Sequence, residues 1–239
     1  MLSPTETLAL MLRTDPAAPR ITCYDDRQGP TRGERVELSA RVLGTWVAKA
    51  ANALQEEWDL GPGSRVRVDL AAHWRTLYWA LATWSVGAAV VIGGDEAADL
   101  VITDEPQHLP TPPTPAVFVT AAALARSAGI DLPADTLDEA AEVATYGDQF
   151  DAWDEPSGDD LALQAGERTT YAGLPATLAR HASAARGRIA VIDPDPLDLI
   201  ATAVTTWAAG GSLVLHLGDP SAETLSRRNA SEGVTEVSA

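Results

Sequence analysis

The chain has 239 residues, 46% of them hydrophobic, enough to bury one large core or two small ones and too many for wholesale disorder. A formal net charge of −17 and a pI near 4.4 oppose phosphate backbones and anionic lipid, so neither nucleic acid nor membrane is expected as a partner. One cysteine, Cys23, allows no internal disulfide, and a cytoplasmic protein is expected.

Ser3, Pro4 and Glu6 form a capping-box pattern that predicts a short amphipathic helix through Leu8, Met11 and Leu12. Residues 1–13 lack the cationic start and apolar stretch of an export signal. Residues 21–25 and 34–38 read as two strands around a Gln28-Gly29-Pro30-Thr31-Arg32 turn, a predicted hairpin in which Cys23 is a packed thiol. Ser39 then caps a helix facing inward with Leu43, Val47, Ala50 and Leu54 and ending near Trp58, before the Gly61-Pro62-Gly63 breaker. Residues 64–94 read strand, helix, strand. Their most apolar part, 77–94, is broken by Ser85 and Gly87, which fits a buried helix, a tight turn and a buried strand rather than a membrane span.

Residues 99–103 and 116–120 are two further short strands, joined by a proline-dense surface connection holding Pro106, Pro110, Pro112, Pro113 and Pro115. Short helices are expected at 121–127 and 137–143. The acidic stretch 147–160 lacks the glycine and terminal glutamate of a calcium loop and reads as a solvated linker, with no metal site. Residues 219–239, rich in Ser, Glu, Thr and Ala without an apolar period, read as a disordered tail.

Residues 64–94 can be laid without a gap on residues 187–217, Trp84 meeting Trp207 and Gly87 meeting Gly210. The apolar helix positions agree as well: Trp74, Leu77, Leu81 and Trp84 step by 3, 4 and 3, and so do Leu197, Ile200, Val204 and Trp207. An upstream echo pairs Gly33-Glu34-Arg35 with Gly166-Glu167-Arg168. Two right-handed βαβ units in parallel sheets follow. The expected architecture is α/β with two pseudo-symmetric lobes: residues 1–146, the linker 147–160, a smaller lobe over 161–218, and the tail 219–239.

The passage Leu60-Gly61-Pro62-Gly63-Ser64-Arg65-Val66, followed by a helix ending in Gly87-Ala88 and the apolar Ala89-Val90-Val91, resembles the N-terminal region of the adenylate-forming superfamily of acyl-CoA synthetases, luciferases and peptide-synthetase adenylation domains. The chain is also similar to short actinobacterial AMP-binding-like proteins. The resemblance implies two related α/β subdomains and places the family's ATP-phosphate loop at residues 163–175. Glycine there lets backbone N–H groups approach phosphates, and the family's lysine neutralises them. Gly166, Arg168, Thr169, Thr170 and Gly173 form the remnant of that loop; the lysine is missing and Glu167 opposes a polyphosphate. Lys49, the one lysine against sixteen arginines, lies in an early helix with no matching motif. The sequence ends before the family's adenine and magnesium motif, its ribose-binding aspartate and its C-terminal lysine domain.

Elsewhere His73, His108, His181 and His216 are not spaced as helix-borne metal ligands, and neither a nucleophile elbow nor a Walker-type loop occurs. His73, at a strand-to-helix junction, reads as a cap; Asp69 and Asp193 lie beyond equivalent strands. Three functional readings follow, a purely structural subunit being the third. One is a non-catalytic, pseudoenzyme-like binding or interaction module with no cofactor and an unidentified protein partner. The alternative is a nucleotide- or acyl-binding component whose adenylate-forming site is completed by a partner.

Overall fold

The computed structural model describes residues 2–94, 97–182 and 186–238. Helix α1 (Pro4–Thr14) begins at the expected capping box, with Ser3 and Glu6 making both reciprocal hydrogen bonds. Strands β1 (Pro19–Asp25) and β2 (Glu34–Ser39) form the antiparallel hairpin, and Ser39 caps α2 (Ala40–Trp58). The first βαβ unit is β3 (Arg65–Asp69), α3 (Trp74–Ser85) and β4 (Ala89–Val91). Then come β5 (Leu100–Thr103), β6 (Ala116–Phe118), β7 (Thr136–Asp138) and the one-turn α4 (Glu139–Glu142). The second hairpin, β8 (Leu161–Ala165) and β9 (Glu167–Thr170), leads through α5 (Leu174–His181) into β10 (Arg188–Ile192), α6 (Pro196–Ala208) and β11 (Ser212–Leu217). Helix α7 (Ala222–Glu232) and β12 (Glu236–Ser238) complete the described chain.

Two mostly parallel sheets result, ordered β7-β6-β5-β3-β4-β8-β9 and β12-β10-β11-β1-β2, with β9 and β2 the antiparallel edges. The α/β class, the two pseudo-symmetric, mostly parallel sheets and the repeat are as expected, but the two halves exchange strands. Each hairpin has crossed to the other repeat. Strand β1 pairs with β11, and β8 pairs with β4.

The two tryptophans seal that exchange. Trp84 donates its indole N–H to the carbonyl of Ala162 on β8 at 2.8 Å, and Trp207 donates to Arg20 on β1 at 2.9 Å. The repeat offset recurs in the backbone, where Ala89 N–H bonds Ser64 and Ser212 N–H bonds Gly187. Helices α3 and α6 pack on each other and are buried without interruption from Trp74 to Trp84 and from Leu199 to Trp207, as befits helices surrounded on all sides. Gly87 and Gly210, at φ +82 and +87, make the left-handed turns that bring each chain back into a strand.

Three segments depart from expectation. No helix forms over 121–127, because the Arg75 guanidinium draws the carbonyls of Ala121 and Ala122 toward α3 and out of a helical ladder. Within 137–143, the first residues belong to β7, α4 covers Glu139–Glu142, and Val143 opens a 3₁₀ turn through Thr145. The acidic stretch 147–160 is strapped to α2: Asn52 donates to the carbonyls of Gly147 and Gln149, and Gln55 bonds both Asp151 and Trp153.

The tail is also ordered. Helix α7 buries none of its residues, yet Glu232 binds Tyr24, Arg35 and Arg188, Arg228 binds Asp26, and His216 shares a 2.9 Å hydrogen bond with Asn229. Strand β12 pairs with β10 as β5 pairs with β3. Polar contacts, invisible to an apolar-period search, do the ordering. Among the described residues no helix is long and apolar enough to cross a membrane.

Candidate functional site

The segment expected to cradle phosphate is a tight hairpin. Gly166, at φ +73, is the single residue between β8 and β9, and the ladder Ala165–Glu167, Gln164–Arg168 and Leu163–Thr169 starts beside it. A phosphate-binding loop needs several consecutive N–H groups converging on one point. Here the amides are spread along an extended edge strand. Arg168 and Thr170 lie on its exposed side; the Thr169 hydroxyl sits 3.3 Å from that of Thr177; Gly173 is the N-cap of α5, and its N–H reaches Thr170 Oγ1 at 3.4 Å.

A cavity of about 320 Å³ lies against this hairpin. Leu163, Ala165 and Leu197 give it an apolar floor, with Glu167, Thr169, Thr177, Arg180 and His181 around them. Of the five sequence-predicted residues only Thr169 lines it; Gly166, Arg168, Thr170 and Gly173 do not. Arg180 is held by the Thr177 hydroxyl at 3.2 Å, and His181 lies 3.2 Å from Asp198. Arg180 itself escaped the sequence reading, which located charge by motif rather than by helix position.

The matching place in the first repeat is occupied by protein. Asp25 pairs with Glu34 across its hairpin as Ala165 pairs with Glu167, and Trp74 occupies the repeat position of Leu197. Burial works against the Asp25 charge, but hydrogen bonds from Arg27 and Thr31 prevail and hold its carboxyl below the usual range. His73 caps α3, its Nδ1 accepting the Arg75 N–H at 3.4 Å. Burial, and then the nearby Arg75 and Arg27 charges, push this imidazole down to about 3, so it is neutral at physiological pH. Cys23 is pushed up to about 12 by burial and then by Asp25, so it remains a packed thiol. No nucleophile is joined to a base here.

Asp69 and Asp193 also have local partners: Asp69 faces His108 at 2.9 Å, and Asp193, at φ +42, accepts the Gly218 N–H at 3.3 Å. A further buried group missed in the sequence is Glu139, which Arg75 and Tyr78 both contact. It lies on α4 with no flanking motif, and its role is to tie α4 to α3. Among the described residues no set of three His, Cys, Asp or Glu side chains is placed to hold a metal ion.

No family model matches the chain. A Mycobacterium tuberculosis protein described as a TIGR03089 family protein is 34% identical over 239 residues, spanning 95% of this chain and 94% of that protein. Among solved structures, a Brucella canis acyl-CoA synthetase superposes with a TM-score of 0.72 at 19% identity, covering 99% of this chain and 47% of its own. Acetoacetyl-CoA synthetase from Streptomyces lividans gives 0.72 at 15% identity, with 99% and 42% covered. The N-terminal domain of FACL13 from Mycobacterium tuberculosis gives 0.69 at 13%, with 100% and 63% covered. At such identities the likeness establishes the fold: this is the two-sheet architecture of the N-terminal part of adenylate-forming enzymes. The chain spans less than two thirds of the length of each of these three structures.

Proposed function

The chain belongs to the TIGR03089 family, and we propose that it is a binding or interaction module built on the adenylate-forming fold, without adenylating activity of its own. The observation that carries this reading is the one-residue turn between β8 and β9. Adenylation requires charge compensation at the ATP phosphates and a carboxylate held in line with them. A hairpin whose N–H groups do not converge, with Glu167 beside Arg168, supplies neither. Lys49 is committed elsewhere: its ammonium donates to the carbonyls of Ala144 and Tyr146 and pairs with Asp148 at 2.6 Å.

The test is acid-dependent pyrophosphate exchange with ATP, magnesium and a panel of carboxylic acids. No exchange is expected. Exchange that is abolished by Arg168→Ala or Thr170→Ala would overturn the reading and restore 166–173 as a working phosphate loop. A thermal-shift screen of nucleotides, acyl-CoAs and acyl adenylates separates the alternative, a ligand-binding component completed by a partner. Ligand at a hundredfold excess over Kd stabilises by about 2.7 kcal/mol, several degrees in Tm for a chain of this size.

A further inference from the structure

Two adjoining hollows of about 650 and 420 Å³ share Trp58 and Pro115 as a common wall. They lie where α2 ends and where β3, β5, β6 and β7 begin, at the N-terminal edge of their sheet. Sites in α/β sheets form at the opposite, C-terminal edge, so this furrow is separate from the cleft discussed above. Its walls are apolar and stiff: half-buried Trp58 with Pro112, Pro113 and Pro115.

Its charge is of one sign. Glu57, Asp135 and Glu142 line the larger hollow and Asp59 and Asp99 the smaller, all exposed; no Lys, Arg or His lines either. The other cavities described each hold at least one arginine. Among the described residues these five carboxylates enter no salt bridge. Three of them accept hydrogen bonds from uncharged donors: Glu57 from the Tyr146 hydroxyl, Glu142 from the backbone N–H of Asp138 and Asp99 from the backbone N–H of Arg65. Concave walls lined by one sign of charge focus the field on a counter-charge. An aromatic face favours a cation above it, and Arg or Lys stems pack along apolar walls while their heads remain at the rim.

We propose that this furrow docks a basic, arginine- or lysine-bearing segment of a partner protein, one cationic side chain lying against Trp58 and the carboxylates of the rim. The proposal deepens the interaction-module reading without depending on it, because peptide binding is measured apart from pyrophosphate exchange and either can fail alone.

The experiment titrates the full chain into a short fluorescein-labelled peptide in which Arg alternates with Ala, followed by fluorescence anisotropy. A Glu-Ala peptide and free arginine amide are the comparison ligands. The furrow variant Glu57→Gln/Asp135→Asn/Glu142→Gln is set against Asp159→Asn/Asp219→Asn/Glu223→Gln, which removes the same charge from exposed sites elsewhere. All six residues are exposed, and circular dichroism is to be used to check that both variants fold. The expected result is salt-sensitive binding of the Arg-Ala peptide, weakened about tenfold by the furrow variant and less than about twofold by the control. Trp58→Leu, if folded, is expected to weaken it comparably. Absence of binding, equal losses in the two triple variants, or binding of free arginine amide as tight as that of the peptide would each overturn the proposal.

Discussion

Replacing Glu232 with Gln tests whether one carboxylate holds the C-terminal helix. Glu232 accepts hydrogen bonds from the Tyr24 hydroxyl at 2.6 Å, from Arg35 at 2.9 and 3.0 Å and from Arg188 at 2.7 Å, while α7 itself buries nothing. Burial opposes the charge, but Tyr24, Arg188 and Arg35 outweigh it and bring the carboxyl from 4.5 down to about 2. At about 1.4 kcal/mol per pKa unit this is about 3 kcal/mol of native stability. The Arg35 side chain is 43% exposed and screened by solvent, so the expected loss is about 2 kcal/mol. A depressed carboxylate stabilises above its unfolded pKa and loses that contribution as pH falls from 4.5 toward 2. Glu232→Gln is therefore expected to be weaker than wild type at neutral pH and to converge with it across that acidic window. Urea unfolding over a pH series measures the global term, and hydrogen exchange of residues 222–238 the local one. With no apolar face, α7 and β12 should exchange faster before the core does. Unchanged protection at neutral pH, or a deficit equally large at about pH 3, would refute the reasoning.

Trp84→Phe and Trp207→Phe are expected to cost about the same, roughly 2 kcal/mol each, since each loses one indole hydrogen bond to the other repeat's hairpin plus part of a buried ring; denaturant midpoints check this, and a several-fold disparity would argue against their equivalence. Fragments 1–150 and 151–239 are expected to lack cooperative unfolding alone and to regain it, with native near-UV circular dichroism, when mixed; cooperative unfolding of 1–150 by itself would contradict the exchanged-hairpin arrangement.

Local chemistry was legible in the sequence because local residues decide it. The Ser3–Glu6 box, the Ser39 cap and the Gly87 and Gly210 turns stand where spacing and side-chain type put them. Both βαβ units were legible for the same reason: a 3, 4, 3 apolar stripe and a terminal glycine are properties of neighbours. Pairing between distant strands was not. Residues 25 and 217, or 90 and 163, meet because each hairpin finds the other repeat's sheet, and no periodicity in either segment encodes its partner. At the candidate site, glycines and threonines suggested a loop, but Thr169 and Thr170 are β-branched residues three and four positions after the turn glycine, and an edge strand suits them better. In the tail, charge and amide contacts replaced the apolar face on which the reading relied.

The exchange of hairpins separates the β8–β9 turn from the contacts that hold the two sheets together. In each repeat the strand that opens the hairpin is an interior member of the opposite sheet, so the pairing of β8 with β4 does not involve the turn between β8 and β9. The Trp84 bond to Ala162 lies four residues from the β8–β9 turn residue Gly166 and is equally untouched. The β8–β9 turn is therefore free to vary without loss of fold, whereas the strands and tryptophans flanking it are not. The furrow at Trp58 lies at the sheet's other edge, framed by the starts of β3, β5, β6 and β7. Its walls are those strand starts, the end of α2, the proline-dense connection and α4, and no residue of the β8–β9 turn lines it. On the proposed reading, the β8–β9 edge carries no adenylation and the furrow edge carries the docking surface, and the two can be tested and altered separately.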